Sequence, residues 1–224
     1  MKSEIIQKVI LDIETNCNLS KRPIEDVVLI GASKSQTIKK IIEAYEEGIK
    51  NFGENYLQEA EEKINQLDQD IVWHFIGSIQ SRKAKKIAEI FDWVHTVDSF
   101  KVADKLNSAR PKSMGVLNAC LQINIDDEES KSGVKIENLE ELIQKSEALE
   151  NIKIRGLMVI PKPRDSEEEQ RKVFKKVKEI YDSLIRKGYQ FDTLSMGMTS
   201  DYGVAIQEGA TMIRIGTGIF GPRK

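Results

Sequence analysis

Short apolar runs alternate along this chain with longer charged segments in which apolar residues recur at helical spacing. Eight of these runs are strand candidates, at residues 27–33, 51–55, 72–77, 93–97, 116–125, 154–160, 193–197 and 212–216. Helix candidates precede and separate them, at residues 4–18, 36–48, 54–67, 81–90, 99–109, 137–149, 166–187 and 201–208. Strands that alternate with helices predict right-handed βαβ units and a parallel sheet.

Eight such units favour an α/β fold, a single closed (β/α)8 TIM barrel with an extra N-terminal helix. An open doubly wound sheet is the alternative, because periodicity alone does not separate the two. Apolar residues from Ile5 to Ile13 mark the N-terminal helix, and Ser166 with Glu169 forms a capping box that starts the helix near residue 166. Since no linker, low-complexity tract or repeat divides the chain, we expect one domain over residues 1–224.

The composition is that of a protein with one substantial core: 40% of the 224 residues are hydrophobic. The formal net charge of −2 argues against a protein that coats nucleic acid. Cys17 and Cys120 lack metal-ligand spacing, which favours a reducing, cytoplasmic location. No signal-peptide core or membrane-length apolar run is present, and no element suggests assembly, so we expect a monomer with neither membrane nor nucleic acid as a partner.

In a barrel, the residues where strands end converge on one face, and barrel enzymes keep their sites there. These residues are Lys34, Asn55, Gly77, Asn124, Met158, Ser195, Gly197, Arg214, Gly216 and Thr217. The set is poor in carboxylates, so hydrolysis by paired carboxylates is weakly supported. His74 and His95 lie inside predicted strands without clustered acids, which favours hydrogen-bonded core histidines and no metal site.

Lys34 lies in "VVLIGASKSQT", where an apolar strand gives way to small and polar residues. Most lysines in such a turn are simply solvated. The functional alternative is an amine that is partly desolvated against the strand, with a lowered pKa, and that attacks a carbonyl group.

The C-terminal "RIGTGIFGPRK" contains a GxGxxG pattern at Gly216, Gly218 and Gly221. It lies too near the end of the sequence for the helix, strand and acidic residue of a dinucleotide site. A glycine-rich turn after the last strand of a barrel can instead present backbone N–H groups to a phosphate, with Ser195 and Thr217 as hydroxyl donors. Glycines that merely close the barrel are the alternative.

A carbonyl-seeking lysine beside a phosphate site fits two ligand classes. One is a sugar phosphate bound as a Schiff base, as in class I aldolases, and the other is pyridoxal 5′-phosphate. Arg214, beside the predicted phosphate turn, could hydrogen-bond the pyridine nitrogen and keep it unprotonated.

The motifs "NFGENY", "WHFIGSIQSRKAKK", "SKSG", "RGLMVIP", "LSMGMTSD" and "MIRIGTGIFG" resemble those of the YggS/PROSC family of pyridoxal phosphate homeostasis proteins, in the same order over nearly the whole chain. The resemblance implies a fold-type III barrel like the alanine racemase N-terminal domain. It also implies a Schiff base between pyridoxal phosphate and Lys34. The other implied contacts are Ser195, Gly216 and Thr217 to the phosphate, Arg214 to the pyridine nitrogen, and Asn55, His74 and Met198 along the ring.

The chain departs from this resemblance just after Lys34. Many members have a second lysine and a proline there, whereas this sequence has Gln36 and Thr37. Lys131, in "SKSG", is the remaining candidate for a second amine near the mouth of the site.

The favoured function is therefore a protein that binds pyridoxal phosphate in intracellular homeostasis, with cofactor-dependent apoenzymes as candidate recipients and no robust catalysis. A low-activity amino-acid racemase is the alternative. Racemisation needs acid and base groups on both faces of the cofactor, and in the racemase one comes from an added β domain. A Schiff-base aldolase is third, since the strand ends supply no obvious second acid or lysine.

Overall fold

The computed structural model describes residues 4–127 and 132–222. Eight parallel strands form a closed barrel in the order of the sequence, and the first strand closes against the eighth with Ile30 paired to Arg214. The strands are β1 (Val28–Ala32), β2 (Asn51–Glu54), β3 (Val72–Phe75), β4 (Trp93–Val97), β5 (Leu117–Gln122), β6 (Ile152–Met158), β7 (Thr193–Ser195) and β8 (Met212–Ile215). The prediction of a closed barrel is thus confirmed, and the open sheet is excluded.

Helices precede the first strand and follow each of the eight. They are α1 (Glu4–Leu19), α2 (Ile38–Glu46), α3 (Leu57–Ile64), α4 (Ala84–Ile90), α5 (Phe100–Ala109), α6 (Ile136–Ser146), α7 (Glu167–Arg186), α8 (Tyr202–Gln207) and α9 (Thr217–Phe220). Two short 3-10 turns, Ile24–Asp26 and Lys112–Met114, precede β1 and β5. Within the described ranges, no helix has the length and apolar character needed to cross a bilayer.

The core has two parts because side chains alternate between the two faces of each strand. The larger part lies between the barrel and its helices and includes Phe52, Phe75 and Phe174. A smaller cluster fills the barrel interior, with Ile30, Trp93, Cys120, Met158 and Met212. Cys17 and Cys120 are free and fully buried, and burial raises the pKa of Cys120 to about 12, so this thiol stays protonated.

Several element boundaries differ from the sequence predictions, by up to three residues. β6 begins and ends two residues earlier than predicted, at Ile152 and Met158. The predicted glycine-rich turn after β8 contains the one-turn helix α9, which is too short to produce a recognisable apolar period. The capping box at α7 is confirmed, since Ser166 Oγ accepts the backbone N–H of Glu169 at 3.3 Å.

Candidate functional site

A cavity of about 380 Å³ opens at the carboxyl ends of the barrel strands. Six of the eight residues predicted for the site line it: Lys34, Asn55, Met198, Arg214, Gly216 and Thr217. The remaining lining residues are Ala32, Ile76, Ile160, Thr199 and Ser200. A volume of this size is in the usual range for small-molecule sites, about 300–1,000 Å³.

Lys34 lies two residues after the end of β1, in a tight turn that leads to α2. The turn is closed by a hydrogen bond from the Gln36 N–H to the Ser33 carbonyl, at 3.0 Å. Ser33 is anchored in turn to the next strand, because its N–H donates to the Gly53 carbonyl. The Lys34 side chain is half-buried, and it reaches the cavity from the rim of the barrel.

Hydroxyl and backbone donors meet in a second part of the cavity wall, where the loop after β7 touches the turn after β8. Thr199 Oγ1 lies 3.3 Å from Thr217 Oγ1 and accepts the Gly218 N–H at 3.4 Å. A side chain at Gly218 would lie 2.8 Å from Ile215 Cγ2 and 3.2 Å from Thr199 Cγ2. The absence of a side chain there therefore allows the two loops to meet.

Arg214 brings a positive charge into the cavity wall. Its guanidinium donates from Nη1 to Ser195 Oγ at 2.5 Å and from Nη2 to the Val159 carbonyl at 3.0 Å, both uncharged acceptors. No described carboxylate forms an ion pair with it. Burial lowers the pKa of Arg214 to about 10, so the group remains a cation at neutral pH.

Behind Arg214, a chain of hydrogen bonds crosses the barrel interior. Ser195 Oγ lies 2.9 Å from His95 Nδ1, and His95 Nε2 lies 2.9 Å from His74 Nδ1. The chain ends at Asn51 Oδ1, which is 2.9 Å from His74 Nε2. Because Asn51 Oδ1 accepts, each histidine carries its proton on Nε2, and the Ser195 hydroxyl donates to His95 Nδ1.

Both histidines in this chain are neutral. Burial lowers the pKa of His74 to about 3. Burial is also the main cause that holds the pKa of His95 well below its ordinary value, with smaller contributions from His74 and Arg214. We call the hydrogen-bonded chain from Arg214 through Ser195, His95 and His74 to Asn51 the relay. Arg214 is its single cation and lies at the end that faces the cavity.

This relay explains why two of the predicted site residues do not line the cavity. His74 and Ser195 are fully buried below it, and Ser195 already donates to His95 and accepts from Arg214. Thr199 and Ser200, which follow Gly197 in the motif "SMGMTS", also line the wall and were not among the predicted site residues. Lys131 lies outside the described residues.

A second cavity of about 320 Å³ adjoins the first and shares Asn55, Ile76 and Ile160 with it. Asn55 Oδ1 is buried and has no hydrogen-bond partner among the described residues. A side chain at Gly77 would lie 2.2 Å from the Asn55 carbonyl oxygen, so the close approach of these two loops requires glycine. Asn55 is therefore held in place with an unused acceptor between the two cavities.

Lys40, in α2, ties the Lys34 loop to the turn after β8. Its Nζ donates to the Phe220 carbonyl at 2.7 Å and to Gln36 Oε1 at 3.0 Å. Gln36, the position where the sequence departs from the resembled family, thus takes part in a bridge between the two sides of the site.

Replacement of Lys40 by methionine is expected to lower the free energy of unfolding by about 1–2 kcal/mol, since a partly buried, charge-assisted hydrogen bond to a carbonyl is lost. Urea titration measures the change. Lys39→Met is the matched control: Lys39 is 86% exposed and pairs only weakly with Glu43, so a change within about 0.5 kcal/mol is expected. Equal losses in the two variants would show that the bridge contributes nothing.

Comparison with known proteins shows the family to which this chain belongs. The model of the alanine racemase N-terminal domain matches residues 13–224. A pyridoxal phosphate homeostasis protein of Haemophilus influenzae is 46% identical over 216 residues, which are 94% of this chain and 91% of that protein.

Solved structures give the same result. PipY of Synechococcus elongatus, whose structure has pyridoxal phosphate bound, superimposes with a TM-score of 0.82 at 35% identity, over 94% of this chain and 100% of PipY. An alanine racemase of Clostridium difficile is only 16% identical and shares the fold, with a TM-score of 0.74, over 95% of this chain and 59% of the racemase. The chain therefore belongs to the pyridoxal phosphate homeostasis proteins, within the alanine racemase N-terminal domain family.

Proposed function

We propose that this protein binds pyridoxal 5′-phosphate through Lys34 and acts in the intracellular homeostasis of this cofactor. The observation that carries the proposal is the placement of three groups in one cavity: the Lys34 amine, the Thr199–Thr217 wall and the Arg214 cation. These groups match the aldehyde, the phosphate and the aromatic ring of the cofactor. The structure of PipY with pyridoxal phosphate bound and the names of the homologues support pyridoxal phosphate as the ligand.

The residues present fit this cofactor. The turn at Gly216 and Thr217 joins the Thr199 and Ser200 hydroxyls on one wall, and such a group of neutral donors suits a phosphate. Asn55 Oδ1, buried without a partner among the described residues, offers an acceptor to a polar substituent of the ring. When bound, the cofactor supplies a reactive aldehyde and an electron-withdrawing ring.

Arg214 bears on the protonation of the ring nitrogen and so on how strongly the ring withdraws electrons. An arginine is always a donor, so we propose that it faces the ring nitrogen and keeps that nitrogen unprotonated. Hydrogen bonds from Nη1 to Ser195 and from Nη2 to the Val159 carbonyl fix the orientation of the guanidinium in the cavity wall. An unprotonated ring withdraws electrons weakly, which suits storage of the cofactor better than carbanion chemistry.

The distribution of titratable groups also favours a carrier over a racemase. Of the described residues that line the two cavities, Lys34 is the one that carries an amine or an acid. A racemase needs a second such group on the other face of the cofactor. We therefore propose that cofactor release to apoenzymes, by a monomer in the cytoplasm, is the physiological activity.

The proposal is tested by adding pyridoxal phosphate to the purified protein. Yellow absorbance should develop in a 1:1 ratio, and borohydride followed by peptide mapping should place the label on Lys34. A label elsewhere, or no absorbance, would contradict the proposal.

Incubation of the loaded protein with single L-amino acids distinguishes the racemase, since robust formation of the D-enantiomer would establish that alternative.

A further inference from the structure

A buried ion cluster lies next to the Lys34 turn but outside the cavity. Lys63, in α3, donates from Nζ to Glu54 Oε1 at 2.7 Å, to Glu59 Oε1 at 2.6 Å and to the Ser33 carbonyl at 2.7 Å. The side chains of Lys63 and Glu54 are 6% and 0% exposed. Because Asn55 lines the cavity, its neighbour Glu54 points to the other face of the strand, toward α3.

This cluster holds the residues on both sides of Lys34. On one side, the Ser33 hydroxyl donates to Glu54 Oε1 at 2.6 Å, while the Ser33 carbonyl accepts from Lys63. On the other side, the Ser35 backbone N–H donates to Glu59 Oε1 at 2.5 Å. Lys34 is thus held between two anchored neighbours.

Ser35 has a backbone conformation that needs such an anchor. Its φ is 60°, and among the described non-glycine residues only Lys21 and Asp127 also have a positive φ. A side chain is unfavourable at positive φ because Cβ approaches the carbonyl oxygen, so this conformation persists only where the surroundings determine it. Here the acceptor for the Ser35 N–H is Glu59, whose position is fixed by Lys63.

We infer that Glu59 and Lys63 are positioning residues, which hold the strained turn at Ser35 and so direct Lys34 into the cavity. The inference rests on the proposed function for the role of Lys34. Buried ion pairs add little net stability compared with apolar packing, but they fix hydrogen-bonding groups in one geometry. A turn that presents one amine to a ligand requires that kind of constraint.

Glu59→Ala removes the acceptor of the Ser35 N–H and substitutes none of the cavity-lining residues. In the ligand-free protein, amide hydrogen exchange at Ser35 should become about tenfold faster or more, as expected for loss of a charge-assisted hydrogen bond, while exchange in β1 stays unchanged. Glu61→Ala is the matched control, because Glu61 lies on the same helix and pairs at 3.2 Å with the half-exposed Lys86, away from this turn. Its exchange pattern around Lys34 should equal that of the wild type.

The second measurement is the rate of covalent capture of pyridoxal phosphate. Glu59→Ala should slow capture about tenfold, whereas the affinity for pyridoxine 5′-phosphate, which lacks the aldehyde, should change less than twofold. Ser35→Gly in the Glu59→Ala background should restore the capture rate, because glycine adopts positive φ without strain. A mere loss of stability would not be corrected by glycine.

Wild-type exchange and capture rates in Glu59→Ala would overturn the inference, as would a slow variant that Ser35→Gly does not restore. If the wild-type protein captured no pyridoxal phosphate, the proposed function would fail instead. In that case, the exchange measurement alone would decide whether Glu59 holds the turn.

Discussion

Replacement of Lys34 by alanine is expected to abolish covalent attachment of pyridoxal phosphate, so that borohydride fixes only background amounts of cofactor on the protein. Lys34 lines the cavity and is the proposed nucleophile, and the methyl group of alanine cannot form the bond. The Thr199, Thr217 and Arg214 groups remain, so non-covalent binding should persist at reduced affinity. Absorbance spectra with and without borohydride, followed by mass spectrometry of the peptides, measure both effects.

The matched control is Lys39→Ala, which removes a lysine of the same segment whose side chain is 86% exposed. This variant should incorporate cofactor as the wild type does. Incorporation into Lys34→Ala at the wild-type level would mean that another lysine is the attachment site, and the assignment of Lys34 would then be wrong.

The sequence predicts the fold because each strand and helix is coded locally. All eight predicted strands are present. The spacing of apolar residues differs between strands and amphipathic helices, and this difference can be recognised from each segment alone. The convergence of Lys34, Asn55, Arg214 and Thr217 follows from the fold alone, because parallel strands of a barrel end on the same face.

The relay and the ion cluster could not be predicted in the same way. His95 and Ser195 are 100 residues apart, and their contact depends on how far neighbouring strands are staggered around the barrel. The link between Ser35 and Glu59 depends on a positive φ at a non-glycine residue, which local sequence does not indicate. Periodicity identifies which elements form, whereas these hydrogen bonds depend on the angles at which the elements pack.

Acidification from pH 7.5 to pH 5 is expected to lower the free energy of unfolding by about 2 kcal/mol through His74 alone, and His95 adds a further loss in the same direction. The pKa of His74 is lowered to about 3 and that of His95 is also strongly lowered, whereas both rise to about 6.5 in the unfolded chain. Below pH 6.5 the unfolded state therefore binds protons that the folded state excludes, and stability falls with pH. The loss is large beside a typical total of about 5–15 kcal/mol.

Two carboxyl groups act in the opposite direction. Burial raises the pKa of Glu54 and of Asp201, so proton uptake by these groups favours the folded state as the pH falls and offsets part of the loss. Urea unfolding at a series of pH values gives the net slope. Because the chain has only two histidines, NMR can follow both ring signals, and neither should titrate in the folded protein between pH 8 and pH 5. A midpoint near 6.5 for either ring would show that the relay is open to water and would remove the cause of the predicted acid sensitivity.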